Sequence, residues 1–271
     1  MEETWKPERA VQIVAGTPPG GGLDRVARAL AKAITEAHLI DLPVEVVNVP
    51  GEGARRAWTH YIDNCPGDGH VLGISSPNLT SDYLVGIAGF EHSRYTPIAT
   101  LVTEYIAFAV RSDSKLQTGA DLLRYLGRPT SAPRVALSTA LGNPNHVALA
   151  KLTRQAGGDV NALIIRVFDT ALDAVADVVA GTADLCAVTA ASVLAELEAG
   201  RVRLLGVSAP ERLRGASAGT PSWKEQSADC VIGAWRGVTG PTGLTSAQVL
   251  FWARISRPLQ TNRTGAKTSR V

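Results

Sequence analysis

The sequence has few cysteines, few aromatic residues and no long apolar run, and each shortage excludes a class of protein. Its three cysteines, Cys65, Cys186 and Cys230, are far apart and form no CxxC pair, so neither a zinc site nor a disulfide framework is indicated. No apolar run reaches the roughly 18 residues that span a bilayer. The composition is that of a soluble globular chain, and 271 residues suffice for two modest domains.

Sequence patterns of catalysis and of nucleic-acid binding are also missing. The chain has no GxSxG, no HExxH and only five scattered histidines, so hydrolase or metal chemistry has little support. Five basic and no acidic residues lie in residues 244–271, which leaves 22 basic against 25 acidic residues in 1–243. We therefore predict no metal, and no nucleic-acid partner for the body of the chain.

The N-terminus, MEETWKPERA, is too polar for a signal peptide. Two interpretations follow from the residues alone. Either the protein stays in the cytoplasm, or a leader has been removed.

Short apolar runs alternate with amphipathic segments along most of the chain. After the strand candidate VQIVAG, apolar residues from Leu23 to Ile34 recur at the spacing of one helical face. VEVVNV and HVLGISS then indicate further strands, with the helix candidate ARRAWTHYIDN between them. A second series runs from TGADLLRYLG, with Thr118 as N-cap and Gly127 as the stop, to the strand RVRLLGVSAP. Such alternation predicts an α/β fold of parallel βαβ units.

Two extended segments are longer than the typical strand of about five to six residues. They are TLVTEYIAFAV, between the two series, and CVIGAWRGVTGP, after the second series. A chain that crosses a hinge twice needs one extended segment that leaves the first lobe and a second that returns to it. We therefore expect lobe one to comprise residues 1–103 plus 234–271 and lobe two to comprise 104–233, with a ligand cleft between them.

The first strand and the first helix are joined by TPPGGGLD, Thr17 to Asp24. A loop at the carboxyl end of a parallel strand directs unpaired backbone N–H groups and the positive end of the helix towards one point. Glycine lets a ligand oxygen approach those amides, and Pro18 and Pro19 stiffen the approach. The loop therefore predicts an anion held by Gly20, Gly21 and Gly22, although a tight turn without a ligand fits these residues equally well.

The anion predicted by this loop is a carboxylate and not a phosphate. A P-loop requires a lysine after the glycines, and here Leu23 and Asp24 follow them. A dinucleotide site requires a third glycine at the GxGxxG spacing, which is missing. Asp24 would repel a polyphosphate, and its position favours interaction with the helix N-terminus. We therefore expect no cofactor.

Small polar residues follow other strands in both halves of the chain, and few charges accompany them. His146 at a helix start is more often structural than a ligand donor. We expect the ligand to be held mostly by neutral donors at these strand ends. The candidate binding residues are Thr17, Pro19, Gly20, Gly21, Gly22, Ser75, Ser76 and Asn78 in lobe one, and Ser138, Thr139, Gly142, Asn143, Asn145, His146, Asp169 and Thr189 in lobe two.

Several motifs, taken in order, resemble one known family. PPGGGLD is similar to that family's first loop, NVPGEG (Asn48–Gly53) to its N-PGAGG element, and CPGDGHVL (Cys65–Leu72) to its PPDGYTLL element. SPERLRGASAGTPSWKEQ (Ser208–Gln226) and AWRGVTGPTG (Ala234–Gly243) match two later elements. The match runs from about Val11 to Ser256. On these motifs the chain resembles the periplasmic substrate-binding proteins of tripartite tricarboxylate transporters, also called Bug or TctC-like receptors.

The resemblance implies a two-lobe type II periplasmic binding protein fold with two hinge-crossing strands and no catalysis. It also implies capture of a di- or tricarboxylate between the lobes, delivery to membrane transporter subunits, a periplasmic location and a monomeric state. By motif position, the loops Thr17–Gly22, Ser75–Asn78 and Ser138–His146 would hold the ligand, largely through backbone amides and bridging waters.

The chain departs from the family pattern near its end. The family continues with further helices after GPTG, whereas here the helix candidate TSAQVLFWARIS is followed by a polar, basic tail that we expect to be disordered. We expect such an end to leave apolar surface exposed on lobe one, at Phe251 and Trp252. The alternative functions are a small-molecule enzyme and a ligand sensor that use the same α/β cleft.

Overall fold

The computed structural model describes residues 5–87, 91–128 and 132–257. Within them the chain forms two compact units. Unit 1 runs from the start of the described chain to Thr103 and resumes at Trp235, and unit 2 is Glu104–Ala234. The tail expected to be disordered lies outside the described residues. No helix in the described part of the chain is long and apolar enough to cross a membrane.

In unit 1, strand β1 (Val11–Ala15) lies between two parallel neighbours, β2 (Val44–Asn48) and β3 (Val71–Ser75). Strand β9 (Gly233–Pro241) runs antiparallel to β3, and the first half of β4 (Tyr95–Arg111) is the next strand in the sheet. The helices of this unit are α1 (Gly22–Glu36), α2 (Arg55–Asn64), α3 (Asn78–Leu84) and α8 (Ser246–Ser256).

In unit 2, strand β5 (Arg134–Ser138) lies between parallel β6 (Ile164–Phe168) and β7 (Leu185–Thr189). The second half of β4 runs antiparallel to β7 and to β8 (Val202–Val207). The helices of this unit are α4 (Gly119–Gly127), α5 (Pro144–Gln155), α6 (Ala171–Val179) and α7 (Ala190–Glu198).

The predicted helix signals are confirmed where apolar spacing and capping agree. Leu23, Leu30 and Ile34 on one face of α1 are buried in the core of unit 1. Helix α4 begins after Thr118, whose hydroxyl accepts the Asp121 N–H in a capping box, and it ends at Gly127 as predicted. These local signals specify the helices because each satisfies backbone groups or buries an apolar stripe.

Two features differ from the expectation of parallel βαβ units. Both crossing strands, β4 and β9, run antiparallel to their mapped neighbours, because a chain that leaves a unit and returns to it traverses the sheet in the opposite direction. In addition, α3 was not predicted. It is seven residues long, and two of its three buried residues, Asn78 and Asp82, are polar, so it lacks the apolar stripe by which a helix is recognised in a sequence.

The expectation of exposed apolar surface at Phe251 and Trp252 is wrong for the tryptophan. Trp252 is fully buried in α8, and its Nε1 donates a 2.8 Å hydrogen bond to the Gly69 carbonyl. The Trp5 ring packs edge-on against Phe251, at 5.3 Å between ring centroids, and also lies next to Trp252. The N-terminal segment therefore covers the surface at which we expected exposure.

Candidate functional site

Each unit brings the ends of three parallel strands to one edge of its sheet, as the candidate residues require. In unit 1 these strands end at Ala15, Asn48 and Ser75. In unit 2 they end at Ser138, Phe168 and Thr189.

In the β1–α1 loop of unit 1, the N–H groups of Gly20 and Gly21 are already donated within the protein. Gly20 N–H donates to Oδ2 of Asp24 at 2.8 Å, and Gly21 N–H donates to the Pro18 carbonyl at 2.9 Å. Thr17 Oγ1 accepts the Asp24 N–H at 3.1 Å, which caps the start of α1. In this structure the Gly20 and Gly21 amides are therefore engaged within the loop, and the assignment of all three glycines to a ligand stays a prediction.

The N–H groups of Gly22 and Leu23 differ from those of the rest of the loop. They are the first two amides of α1, and neither donates a hydrogen bond to any of the described residues. Such amides carry the partial positive charge of a helix N-terminus. Gly22 is partly exposed, and Pro19 beside it in the loop is exposed. The available donors of the loop are thus at its helical end.

Asp24 is the internal anion that holds the glycine loop. Its carboxylate is buried and accepts hydrogen bonds from Gly20 N, from Asn48 Nδ2 at 2.8 Å and from Arg28 Nε at 2.9 Å. Burial alone would raise the Asp24 pKa, but the bonds from Arg28, Asn48 and Gly20 outweigh it and lower the pKa below its ordinary value. Asp24 lies in the first turn of α1, where an interaction of its charge with the helix N-terminus was expected. The hydrogen-bond network adds to that interaction.

Arg236 is the residue of unit 1 that the sequence analysis missed. A methyl group built on the Gly22 Cα would lie 3.7 Å from Nη2 of Arg236, so a cationic side chain approaches the available amides. The arginine lies on β9, next to the residue paired with Ser75. The motif AWRGVTGP contains it, but only the antiparallel pairing of β9 with β3 brings it to the glycine loop. The predicted donors of the glycine loop thus have a positive charge beside them.

The β3–α3 segment places Ser75, Ser76 and Asn78 at the same edge of unit 1, and all three are buried. Ser75 Oγ donates to the Gly237 carbonyl at 3.2 Å, so this hydroxyl is engaged in fixing β9. Asn78 Nδ2 is buried and has no acceptor among the residues that the structure describes. Of the three, Ser75 is the one whose side chain is engaged in a hydrogen bond to another strand.

In unit 2, the two asparagines of the β5–α5 loop build the loop itself. Asn143 caps α5 by accepting the His146 N–H at 3.0 Å, and its Nδ2 donates to the Ser138 carbonyl at 2.6 Å. Asn145 Nδ2 donates to Ser138 Oγ at 3.1 Å. The N–H of Gly142 donates to His146 Nδ1 at 3.0 Å. The side-chain amides that we expected to face a ligand are thus engaged within the loop.

The remaining candidates of unit 2 lie at the same sheet edge. Thr139 adopts φ of 75°, an unusual value for a β-branched residue, and its N–H donates to the Phe168 carbonyl at 2.7 Å. Thr189 is buried with its hydroxyl 3.0 Å from that of Ser192. Asp169, which follows β6, is exposed. These candidates therefore give this edge of unit 2 a strained loop, buried hydroxyls and an exposed carboxylate.

Acid is expected to weaken the β5–α5 loop through His146. Burial lowers the pKa of His146, and the hydrogen bond from Gly142 requires an unprotonated Nδ1. A lowered folded-state pKa means that the contribution to stability is present above the unfolded pKa, near 6.5, and is lost as the pH falls through the folded value. We expect the free energy of unfolding, measured in urea, to fall from pH 7 to pH 5 by less in His146→Asn, which retains an acceptor, than in the unaltered chain. An equal fall in both proteins would contradict this role.

Comparisons with known proteins give relatives in sequence and in fold, although no family model matches the chain. The UPF0065 protein in the tcbD–tcbE intergenic region of Pseudomonas sp. strain P51 is 27% identical over 260 residues, which cover 95% of this chain and 70% of that protein. The crystal structure of a TctC solute-binding protein from Polaromonas is 25% identical, with a TM-score of 0.69, and covers 95% of this chain and 86% of its own.

Two further structures share the fold at lower identity. MatC from Rhodopseudomonas palustris, with bound malate, is 22% identical with a TM-score of 0.81, over 96% of this chain and 87% of its own. Rpa4515 from R. palustris, with adipate, is 21% identical with a TM-score of 0.82, over 93% of this chain and 83% of its own. The predicted α/β, two-lobe periplasmic binding protein fold is thereby confirmed. With the likeness in sequence, the resemblance drawn from the motifs is confirmed as well: this chain is a relative of the TctC-like, or Bug, solute-binding proteins.

Proposed function

We propose that this protein is a non-enzymatic receptor that binds a small di- or tricarboxylate outside the cytoplasm and delivers it to a membrane transporter of the tripartite tricarboxylate type. The likeness to a TctC solute-binding protein supports the receptor role. The malate and adipate held by two proteins of the same fold support a carboxylate as the ligand. The periplasmic location, the transporter partner and a monomeric state are parts of the proposal that rest on the family.

The observation that carries the proposal is the environment of Gly22. The protein itself explains the other two glycines, because Gly20 has φ of 84° and a methyl group on Gly21 would lie 2.5 Å from the Thr17 side chain. Gly22 has neither constraint, since its nearest non-local neighbour would be 3.7 Å away. Its N–H has no acceptor among the described residues, and a cationic side chain is beside it. A carboxylate oxygen accounts for all three facts.

The donors of unit 1 in this proposal are therefore the Gly22 and Leu23 amides and Asn78, with the positive charge of Arg236 beside Gly22 and the rest of the loop as their support. Hydrogen bonds to a charged acceptor contribute roughly 1.5–3 kcal/mol each. Several of them are needed for a micromolar complex, which requires about 8 kcal/mol after the costs of association are met. The lobe limits 1–103 with 234–271, and 104–233, remain part of this proposal.

The proposal is tested by titrating the purified chain with malate, succinate, adipate, galactarate and citrate in a calorimeter, with thermal unfolding measured in parallel. A ligand that binds only the folded state stabilises it by about 2.7 kcal/mol at a concentration of 100 times Kd. We expect saturable binding of at least one acid, a rise in Tm that depends on its concentration, and recovery of the acid unchanged. No binding of any member, or conversion of the bound acid to a product, would overturn the receptor function.

A further inference from the structure

The side chain of Asn48, the last residue of β2, binds the glycine loop of unit 1 at two places. Its Nδ2 donates to the Thr17 carbonyl at 2.9 Å and to Oδ1 of Asp24 at 2.8 Å. Its Oδ1 accepts a hydrogen bond from Nη2 of Arg28 at 3.3 Å. Thr17 lies before the three glycines, and Asp24 lies after them in the first turn of α1. One side chain therefore holds both ends of the segment that contains the glycines.

These contacts match the donors and the acceptor of an asparagine. A carbonyl and a carboxylate accept hydrogen bonds and donate none, so both hydrogens of the Asn48 amide are used on them, and the amide oxygen is left for Arg28. An aspartate at this position would have the same shape but no hydrogen to donate, and its charge would face the charge of Asp24. The chemistry of the position therefore requires a side-chain amide.

The Gly22 and Leu23 amides lie in the chain between the two residues that Asn48 binds. Thr17 and Asp24 are also tied to each other, because Thr17 Oγ1 accepts the Asp24 N–H at 3.1 Å. A loop with both ends held in this way keeps its amides in one direction before any ligand arrives. Donors that are already ordered lose less freedom on binding, so the affinity depends on what holds them.

The rest of the NVPGEG segment holds Asn48 itself in place. Asn48 is paired with Ala15 in the parallel register of β1 and β2, and the Val49 N–H donates to the Ala15 carbonyl at 2.9 Å. Further along, a methyl group built on Gly16 would lie 2.3 Å from the Cβ of Ala54, so the β2–α2 loop contacts the end of β1 closely. Ala54 has φ of 82°, a left-handed conformation that is costly for alanine. Costs of this kind are concentrated at functional sites.

We infer that Asn48 is a positioning residue for ligand binding, which sets the Gly22 and Leu23 amides in the geometry in which they donate to a carboxylate oxygen. The inference rests on the proposed function and concerns unit 1 alone. It gives a role to the NVPGEG motif, which the receptor function by itself leaves without one. Asn48 acts through Thr17 and Asp24, and contact between Asn48 and the ligand is not required.

The test removes the donors of Asn48 in two ways. Asn48→Asp keeps the shape of the side chain, and Asn48→Ala removes the amide without adding a charge. The ligand is whichever of malate, succinate, adipate, galactarate and citrate the unaltered chain binds most tightly in a calorimeter at neutral pH. We expect each variant to bind that acid about tenfold more weakly, at a temperature at which circular dichroism shows it to be folded. Asn64→Asp, at the exposed last residue of α2, is the matched control and should leave the affinity unchanged.

A double variant separates positioning from a general weakening of the fold. If Asn48 acts through the Gly22 and Leu23 amides, Asn48→Ala has little left to disturb in a chain that already carries Gly22→Ala. We expect it to weaken binding there by less than about threefold, because the two residues act on the same hydrogen bonds. Effects that multiply fully in the double variant would show that Asn48 acts elsewhere, and the inference is then overturned.

The remaining outcomes separate this inference from the function beneath it. If both Asn48 variants bind the acid as tightly as the unaltered chain does, the inference is overturned and the carboxylate receptor stands. If no acid of the panel binds the unaltered chain, the receptor function is overturned and the positioning role with it. Should either variant fail to fold, Asn48→Ser, which retains one donor, takes its place with the same expected direction.

Discussion

Gly22→Ala is expected to weaken carboxylate binding by about 10- to 100-fold without lowering the free energy of unfolding. The fold-change corresponds to the loss of one hydrogen bond to a charged acceptor, roughly 1.5–3 kcal/mol, because the methyl group takes space beside the Gly22 and Leu23 amides. Stability is unaffected or slightly higher, since Gly22 starts α1 and its added Cβ would be 3.7 Å from Arg236, an ordinary contact. Calorimetric titration with the tightest acid of the panel and urea unfolding measure the two quantities.

The matched control for this variant is Gly20→Ala in the same loop. Gly20 has φ of 84° and its N–H is already donated to Asp24, while a Cβ there would meet nothing within 4 Å. We therefore expect the opposite result, a loss of about 1–2 kcal/mol of stability from backbone strain with little change in affinity. If Gly20→Ala weakens binding as much as Gly22→Ala does, the ligand does not distinguish the two amides and the assignment of Gly22 is wrong.

Asp24→Asn is expected to lower the free energy of unfolding by about 3 kcal/mol, the size of effect seen when a buried, hydrogen-bonded charge is removed. The reason is that an asparagine of the same shape has one side-chain oxygen to accept hydrogen bonds. The Asp24 carboxylate has two oxygens, which accept hydrogen bonds from Gly20, Asn48 and Arg28. Glu36→Gln, at the exposed end of the same helix, is the control and should change stability by less than about 0.5 kcal/mol.

The pH dependence of this difference follows from the lowered pKa of Asp24. A depressed folded-state pKa means that the ion's contribution is present above the unfolded value, near pH 3.9, and is lost as the pH falls through the folded value. The gap in unfolding free energy between the unaltered chain and Asp24→Asn should therefore be constant from pH 7 to pH 5 and shrink in stronger acid. A gap that persists unchanged in acid would show that the charge of Asp24 is not what holds the loop.

Much of the fold could be predicted because its signals are local. The apolar face of α1, the Thr118 cap and the stop at Gly127 each depend on residues within one or two helical turns. The ordered motifs then predicted the family, and with it the two-lobe fold. Helix α3 was missed for the same reason, since its short, largely polar inner face carries no local signal that differs from a loop.

The candidate site was predictable by region and not by atom. Strand ends could be located, so the β1–α1 and β5–α5 loops were identified. The bonds that engage the Gly20 and Gly21 amides are local, but the surroundings of the loop are not: Asn48, 24 positions away, holds the Asp24 carboxylate, and Arg236 reaches Gly22 only through the pairing of β9 with β3. Neither the contact of Asn48 with Asp24 nor that of Arg236 with Gly22 can be predicted from the spacing of residues along the chain.

The most direct measurement is the amide nitrogen–hydrogen NMR spectrum of the isotope-labelled chain during titration with an acid of the panel that binds. The account predicts that the Gly22 and Leu23 signals move with the ligand concentration and reach a limit at saturation, as expected for N–H groups that acquire a charged acceptor. If ligand binding shifts signals elsewhere while those of Gly22 and Leu23 stay in place, the glycine loop does not hold the carboxylate and the central claim is contradicted.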